Sequence, residues 1–219
     1  SLATVTLPEA MPYIPDGLFS GCTSLAEITI PEGLKKIGEG AFAGCTSLAS
    51  INLPEGLTRI EYSAFAGCTS LAVITFPESL TSIHNHAFKD CTSLTEITLP
   101  AKLSLVGQEA FRGAVNLVRA TIQSHDYLRA DLILNNGDAY STSIWLRNSS
   151  VKEVILTDNV SWIGDQAFAE TGLTSIEIPA SVEEIGPAAF AGCQDLASVT
   201  FAEGSWIQKI HAGAFTGTR

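Results

Sequence analysis

Apolar residues recur along this chain with a period that is neither helical nor that of an isolated strand. Phe19, Phe42, Phe65, Phe88 and Phe111 lie 23 residues apart. Each of the first four is followed three residues later by a cysteine (Cys22, Cys45, Cys68, Cys91), and each of the five six residues later by a leucine, from Leu25 to Leu117. A short alternating run follows, as in Leu25-Ala26-Glu27-Ile28-Thr29-Ile30, and Pro31, Pro54, Pro77 or Pro100 ends it. Alternation with period two predicts a strand with one face buried. Proline removes a ladder donor and predicts a turn. In the second unit Leu34, Ile37, Ala41, Phe42, Cys45, Leu48, Ile51 and Leu53 are the expected inward residues.

A single repeat unit cannot bury its own apolar side, but stacked units can, because equivalent positions then lie above one another. The expected architecture is a repeat solenoid. It has a parallel sheet on one face, irregular or 3-10 turns on the back, and about nine coils. Gly38, Gly107, Gly164 and Gly186, with Gly21, Gly44, Gly67, Gly113 and Gly192, suit tight bends where φ is positive. The template continues through Phe168, Phe190 and Phe215, one residue short near Gly172 and two residues long around 203–206. Trp145 stands where a Phe is expected. That leaves a single irregular interval, Phe111 to Trp145, which is about half as long again as the period. The organisation read from this is one solenoid over residues 1–219, with an irregular insertion at about 124–143 within the sixth coil.

The pattern AFxxCxxLxxIxIP, from Ala41-Phe42 through Pro54, resembles the BspA-like leucine-rich repeats of bacterial and some protozoan surface proteins. The resemblance covers nearly the whole chain apart from roughly residues 124–143. It implies a leucine-rich-repeat solenoid in an extracellular or surface-attached protein, and a role in adhesion or in binding another macromolecule. The divergent coil with Trp145 and Asn148 departs from the pattern.

Composition narrows the partner. The 219 residues are 46% hydrophobic and 16% charged, enough apolar material for a continuous core. The formal net charge of −11 opposes binding to nucleic acid or anionic lipid. No apolar run is long enough to insert this segment into a membrane, and no signal peptide is visible. A protein ligand of host, matrix or microbial origin is therefore the expected partner. Both ends carry repeat sequence without a polar cap, so end-to-end self-association or continuation into a longer protein is also expected.

Candidate chemistry is sparse. The five cysteines share one template position that elsewhere holds Ala114, Asn148, Thr171 or Thr218, which reads as a column of small buried residues rather than disulfides or a zinc site. His84 and His86 lack a third ligand and read as solvated surface, so neither a metal nor a cofactor is expected. No GxSxG, HExxH, phosphate-binding loop or dinucleotide fingerprint occurs, and the chain reads as non-catalytic.

Two surfaces remain as binding sites. The first is the outward strand face, whose central column is Thr6, Thr29, Asn52, Thr75, Thr98, Thr121, Ile155, Glu177 and Thr200, flanked by Glu27, Val73, Glu96, Arg119, Lys152 and Glu153. Without an aromatic platform it suits protein docking better than sugar stacking. The second is the insertion, where Asn136-Gly137 signals a hairpin turn that would cluster His125, Asp126, Tyr127, Arg129, Asp138 and Tyr140. A spacer that presents another domain, and more weakly a glycan-binding module, are the alternatives.

Overall fold

The computed structural model describes residues 2–123 and 150–218. The chain winds as a parallel-strand β-solenoid, and among the described residues it contains no helix. Among the described residues there are nine longer strands and eight two-residue strands. The longer ones are β1 (Thr4–Thr6), β3 (Glu27–Thr29), β5 (Ser50–Asn52), β7 (Val73–Thr75), β9 (Glu96–Leu99), β11 (Arg119–Ile122), β12 (Glu153–Leu156), β14 (Ser175–Ile178) and β16 (Ser198–Phe201). The short ones are β2 (Tyr13–Ile14), β4 (Lys36–Ile37), β6 (Arg59–Ile60), β8 (Ser82–Ile83), β10 (Leu105–Val106), β13 (Trp162–Ile163), β15 (Glu184–Ile185) and β17 (Lys209–Ile210).

All pairings are parallel and follow the repeat. Thr4 faces Glu27, Ser50 faces Val73 and Glu96 faces Arg119, each exactly one period on. Arg119 then faces Glu153 across the irregular interval, so β11 and β12 are neighbours although a longer stretch of chain joins them. In the short-strand column Trp162 faces Glu184, one position short of the period, and Glu184 faces Lys209, two positions beyond it. These are the deficit and the excess visible in the Phe spacing.

The Phe-bearing back of each coil is built of turns, as expected, with bonds such as Ser20 N–H to the Gly17 carbonyl and Cys22 N–H to the Phe19 carbonyl, and the coil adds a ladder that the repeat pattern did not announce. The short strands form a second parallel ladder, β2–β4–β6–β8–β10, with β13–β15–β17 beyond it. Past this ladder the turns are also tied coil to coil. The N–H groups of Gly17, Phe19 and Gly21 donate to the carbonyls of Glu39, Ala41 and Ala43 at 2.8, 2.8 and 2.7 Å. The same bonds recur at Gly40, Phe42 and Gly44. A polar backbone wrapped around an apolar core must pair its groups somewhere, and here each coil pairs with the next.

Two conformational demands follow. Gly17 and Gly21 have φ of 63° and 72°, and the Gly21 column keeps glycine at Gly44, Gly67, Gly113 and Gly192. Gly38 is needed for a different reason than a positive φ. A Cβ there would lie 2.5 Å from Asp16 Oδ1 and 2.6 Å from the Ile14 carbonyl. Asp16 Oδ1 uses that space to accept the Glu39 N–H at 2.9 Å, and Asn85 accepts the Gln108 N–H in the same way beside Gly107.

Inside, seven of the eight residues expected inward in the second coil are buried, and Leu53 is half-buried against the core. Phe19, Phe42, Phe65, Phe88 and Phe111 stack face to face with ring centroids 5.1–5.3 Å apart, and Phe168, Phe190 and Phe215 repeat the stack at 5.4 and 5.2 Å. Such offset stacks add to the apolar area that each ring buries. Beside them runs the thiol column. Cys45, Cys68 and Cys91 donate to the carbonyls of Phe19, Phe42 and Phe65 at 3.1–3.2 Å, and Cys193 donates to Phe168 at 3.0 Å. All five cysteines are free, and all but the half-buried Cys22 are buried. Burial, reinforced by the thiol of the preceding coil, pushes Cys45 up to about 11 and Cys68 to about 12, so these two thiols stay protonated and donate.

Phe65 is fully buried between two other rings. Phe65→Ala should cost about 3–5 kcal/mol through the cavity it leaves, and a denaturant melt measures this; an unchanged midpoint would mean that the ring is not a core element.

Candidate functional site

Alternation puts the middle residue of each longer strand into the core and the residues on either side of it into solvent. Glu27, Thr29, Asn52, Thr75, Glu96, Thr98, Arg119 and Glu177 are exposed and Thr121 is half-buried. Strand register lines them up: Thr6 beside Thr29, Asn52 beside Thr75, Thr98 beside Thr121 beside Ile155, and Glu177 beside Thr200. The outer column runs Thr4, Glu27, Ser50, Val73, Glu96, Arg119, Glu153, Ser175 and Ser198. Glu153, not Lys152, sits in register with Arg119; Lys152 lies one residue outside β12. His125, Asp126, Tyr127, Arg129, Asp138 and Tyr140, like Trp145 and Asn148, lie outside the described residues.

Charge on these two columns is uneven. Arg119 is their one cation among the described residues, against Glu27, Glu96, Glu153 and Glu177. Its Nε donates to Glu153 Oε2 at 2.8 Å, and its Nη1 lies 3.7 Å from Glu96 Oε2. These are exposed pairs, so they contribute little to stability, but they fix the two carboxylates on either side of one guanidinium.

The face is not smooth. The longer strands pair as β1–β3, β5–β7, β9–β11–β12 and β14–β16. The longer strands pack without a ladder where β3 meets β5, β7 meets β9 and β12 meets β14, and the last two junctions open into notches. The first, of about 340 Å³, is lined by Val73, Phe76, Glu78 and Glu96 among others. The second, of about 390 Å³, is lined by Glu153, Ile155, Asp158, Glu177 and Pro179 among others. Val73 and Ile155 are 58% and 42% exposed, the apolar members of these two columns among the described residues. Sequence reasoning identified the face but not the notches, because a ladder break leaves no mark in the repeat.

The repeats match a sequence model described as BspA type leucine rich repeat region, over residues 1–130 and 143–219. The chain belongs to this family. The stretch left unmatched, 131–142, falls within the irregular interval. Among solved structures, a leucine rich repeat protein of T. pallidum is 28% identical, with a TM-score of 0.62 over 88% of this chain and 77% of that one. A leucine-rich repeat protein of Eubacterium ventriosum is 18% identical, with a TM-score of 0.55 over 99% of this chain and 57% of that one. The pneumococcal vaccine antigen PcpA is 21% identical, with a TM-score of 0.50 over 99% of this chain and 68% of that one. The last two likenesses are of fold alone. No curated protein sequence matches the chain.

The short-strand side carries a feature that the sequence reading misplaced. His84 is buried rather than solvated, with its ring tilted over Tyr62 at 4.8 Å and its Nε2 3.6 Å from the buried Glu61, which also pairs with Arg59 at 2.9 Å. Two further His–Glu pairs lie along the same side, His86 with Glu109 at 3.1 Å and His211 with Glu184. The one-period spacings of Glu61 to His84 and of His86 to Glu109 were the legible signal, since that spacing places a residue beside its equivalent in the next coil. Among the described residues no three His, Cys, Asp or Glu side chains gather as a metal site, and no helix is long and apolar enough to cross a membrane.

Burial holds the His84 imidazole below its usual range; Glu61 opposes this and Arg59 adds to it. A histidine depressed in the folded state binds fewer protons than in the unfolded chain. Its contribution is therefore complete above the unfolded value, about 6.5, and declines as pH falls below it. Thermal melts from pH 7.5 to 5.5 should show wild type losing stability relative to His84→Gln over that window; parallel curves would show that His84 does not titrate differently on folding.

Proposed function

We propose that this chain is a non-catalytic protein-binding or adhesion module of a cell-surface or secreted protein, and that it docks its partner on the strand face. One observation carries the reading. The described longer strands present a row of small polar side chains, Thr29, Thr75 and Thr98 among them, that stands exposed to solvent. Small β-branched residues make a pre-ordered surface that loses little side-chain entropy when a partner covers it. Membership in a family that often occurs in surface proteins supports the location. The net charge of −11 favours a protein partner over nucleic acid or anionic lipid. The insertion residues His125 to Tyr140 are a second docking surface in the same reading.

The test is a surface plasmon resonance screen of the immobilised chain against matrix and host-surface proteins. Thr98→Arg/Thr121→Arg should weaken any captured partner by at least about tenfold, since buried interface positions dominate affinity. Ser20→Arg, on an exposed turn in the Phe-bearing segment of the coil, should leave binding unchanged. Equal binding by all three proteins, or none by the folded wild type, would reject docking on this face.

A further inference from the structure

The geometry points to a more specific occupant for the strand face: an extended protein segment that crosses the strands and carries two basic side chains about four residues apart. The inference rests on the strand face being the docking surface and adds the chemistry of what docks there.

The two notches share a design. Each combines an exposed branched apolar side chain, Val73 or Ile155, with acidic groups at its rim. Glu78 and Glu96 line the first; Glu153, Asp158 and Glu177 line the second. Between them stands Arg119, which holds one carboxylate of each notch, Glu96 on one side and Glu153 on the other. Glu78, Asp158 and Glu177 have no ion-pair partner among the described residues. Each notch therefore offers at least one uncompensated carboxylate beside an apolar patch. A lysine or arginine answers that pairing, since its aliphatic stem covers apolar surface while its charged head reaches the carboxylate.

Spacing sets the second requirement. In the order β7, β9, β11, β12 and β14 the notches lie three strand steps apart, roughly 14 Å at the usual separation of parallel strands. An extended chain advances about 3.3 Å per residue, so about four residues span that distance. From Thr98, at the edge of the first notch, the central column continues through Thr121, both short side chains. Complementary charge also speeds encounter and discriminates against acidic partners.

The test uses the whole chain, ¹⁵N-labelled, titrated with the pentapeptide Lys-Val-Thr-Val-Lys and with its glutamate counterpart Glu-Val-Thr-Val-Glu. The lysine peptide should shift amides in 73–78, 96–98, 153–158 and 175–179. Its affinity should fall when NaCl is raised from about 50 to 300 mM, and by at least tenfold in Glu78→Lys/Glu177→Lys. Both substituted positions are exposed, and an unchanged thermal melt verifies the fold of the variant. The glutamate peptide should shift nothing. Equal shifts with both peptides, shifts spread over the acidic surface at large, or none at millimolar peptide would overturn the proposal. A protein partner that is lost in Thr98→Arg/Thr121→Arg but retained in Glu78→Lys/Glu177→Lys would also overturn it, while leaving the strand face as the docking surface.

Discussion

The structure depends on register between successive coils. Every stabilising column exists only because a residue sits beside its equivalent one coil on. This holds for the stacked phenylalanines, the thiols that donate to the preceding coil's Phe carbonyls, the two strand ladders and the turn amides that bond forward. None of these contacts is available to one coil alone, so stability accrues at coil interfaces rather than within coils. The left-handed residues in the turns are part of the same constraint. Ser63, His86 and Glu109 adopt φ of 51°, 61° and 53° without being glycine, at a cost of about 1 kcal/mol or more each. The amides of Ser63 and His86 are satisfied by the carbonyls of Asn85 and Gln108 on the next coil, which offsets that cost.

Function follows from what this register leaves uncommitted. The core fixes the inward residue of every strand, and the turns fix the glycine and Phe positions. The outward strand residues are the least constrained, and there the chain departs from a plain threonine column: Val73 and Ile155, the acidic rim of Glu78, Glu96, Asp158 and Glu177, and Arg119 set between two carboxylates. The two notches lie at junctions where adjacent longer strands pack without a ladder, and they give relief to an otherwise flat sheet.

Much of the fold was legible in the sequence because the repeat is strict. Nine copies of one template fixed the inward residues, the strand positions and the irregularities in spacing. What the template could not express was conformational. It placed positive φ at Gly38, where the need is instead room for Asp16 and the Ile14 carbonyl. It placed turns on the back but not the second ladder beside them, since alternation over only two residues, as at Lys36–Ile37, is a brief signal, yet enough to seed a ladder when coil after coil repeats it. It read His84 as solvated because glycine occupies the same position elsewhere, whereas Tyr62 and Glu61 of the preceding coil cover the imidazole. The outward face was legible as a face, but its relief and ion pairs were not, since they depend on which strands pair and on side-chain reach.

Native-state amide hydrogen exchange tests the claim of coil-to-coil register most directly. The account predicts slow exchange at the Phe19, Phe42, Phe65 and Phe88 amides, each bonded to the next coil at 2.8 Å. It also predicts comparable protection in β11 and β12, which pair across the irregular interval. Fast exchange at those turn amides, or protection that ends at β11 and resumes only at β14, would contradict a single continuous register.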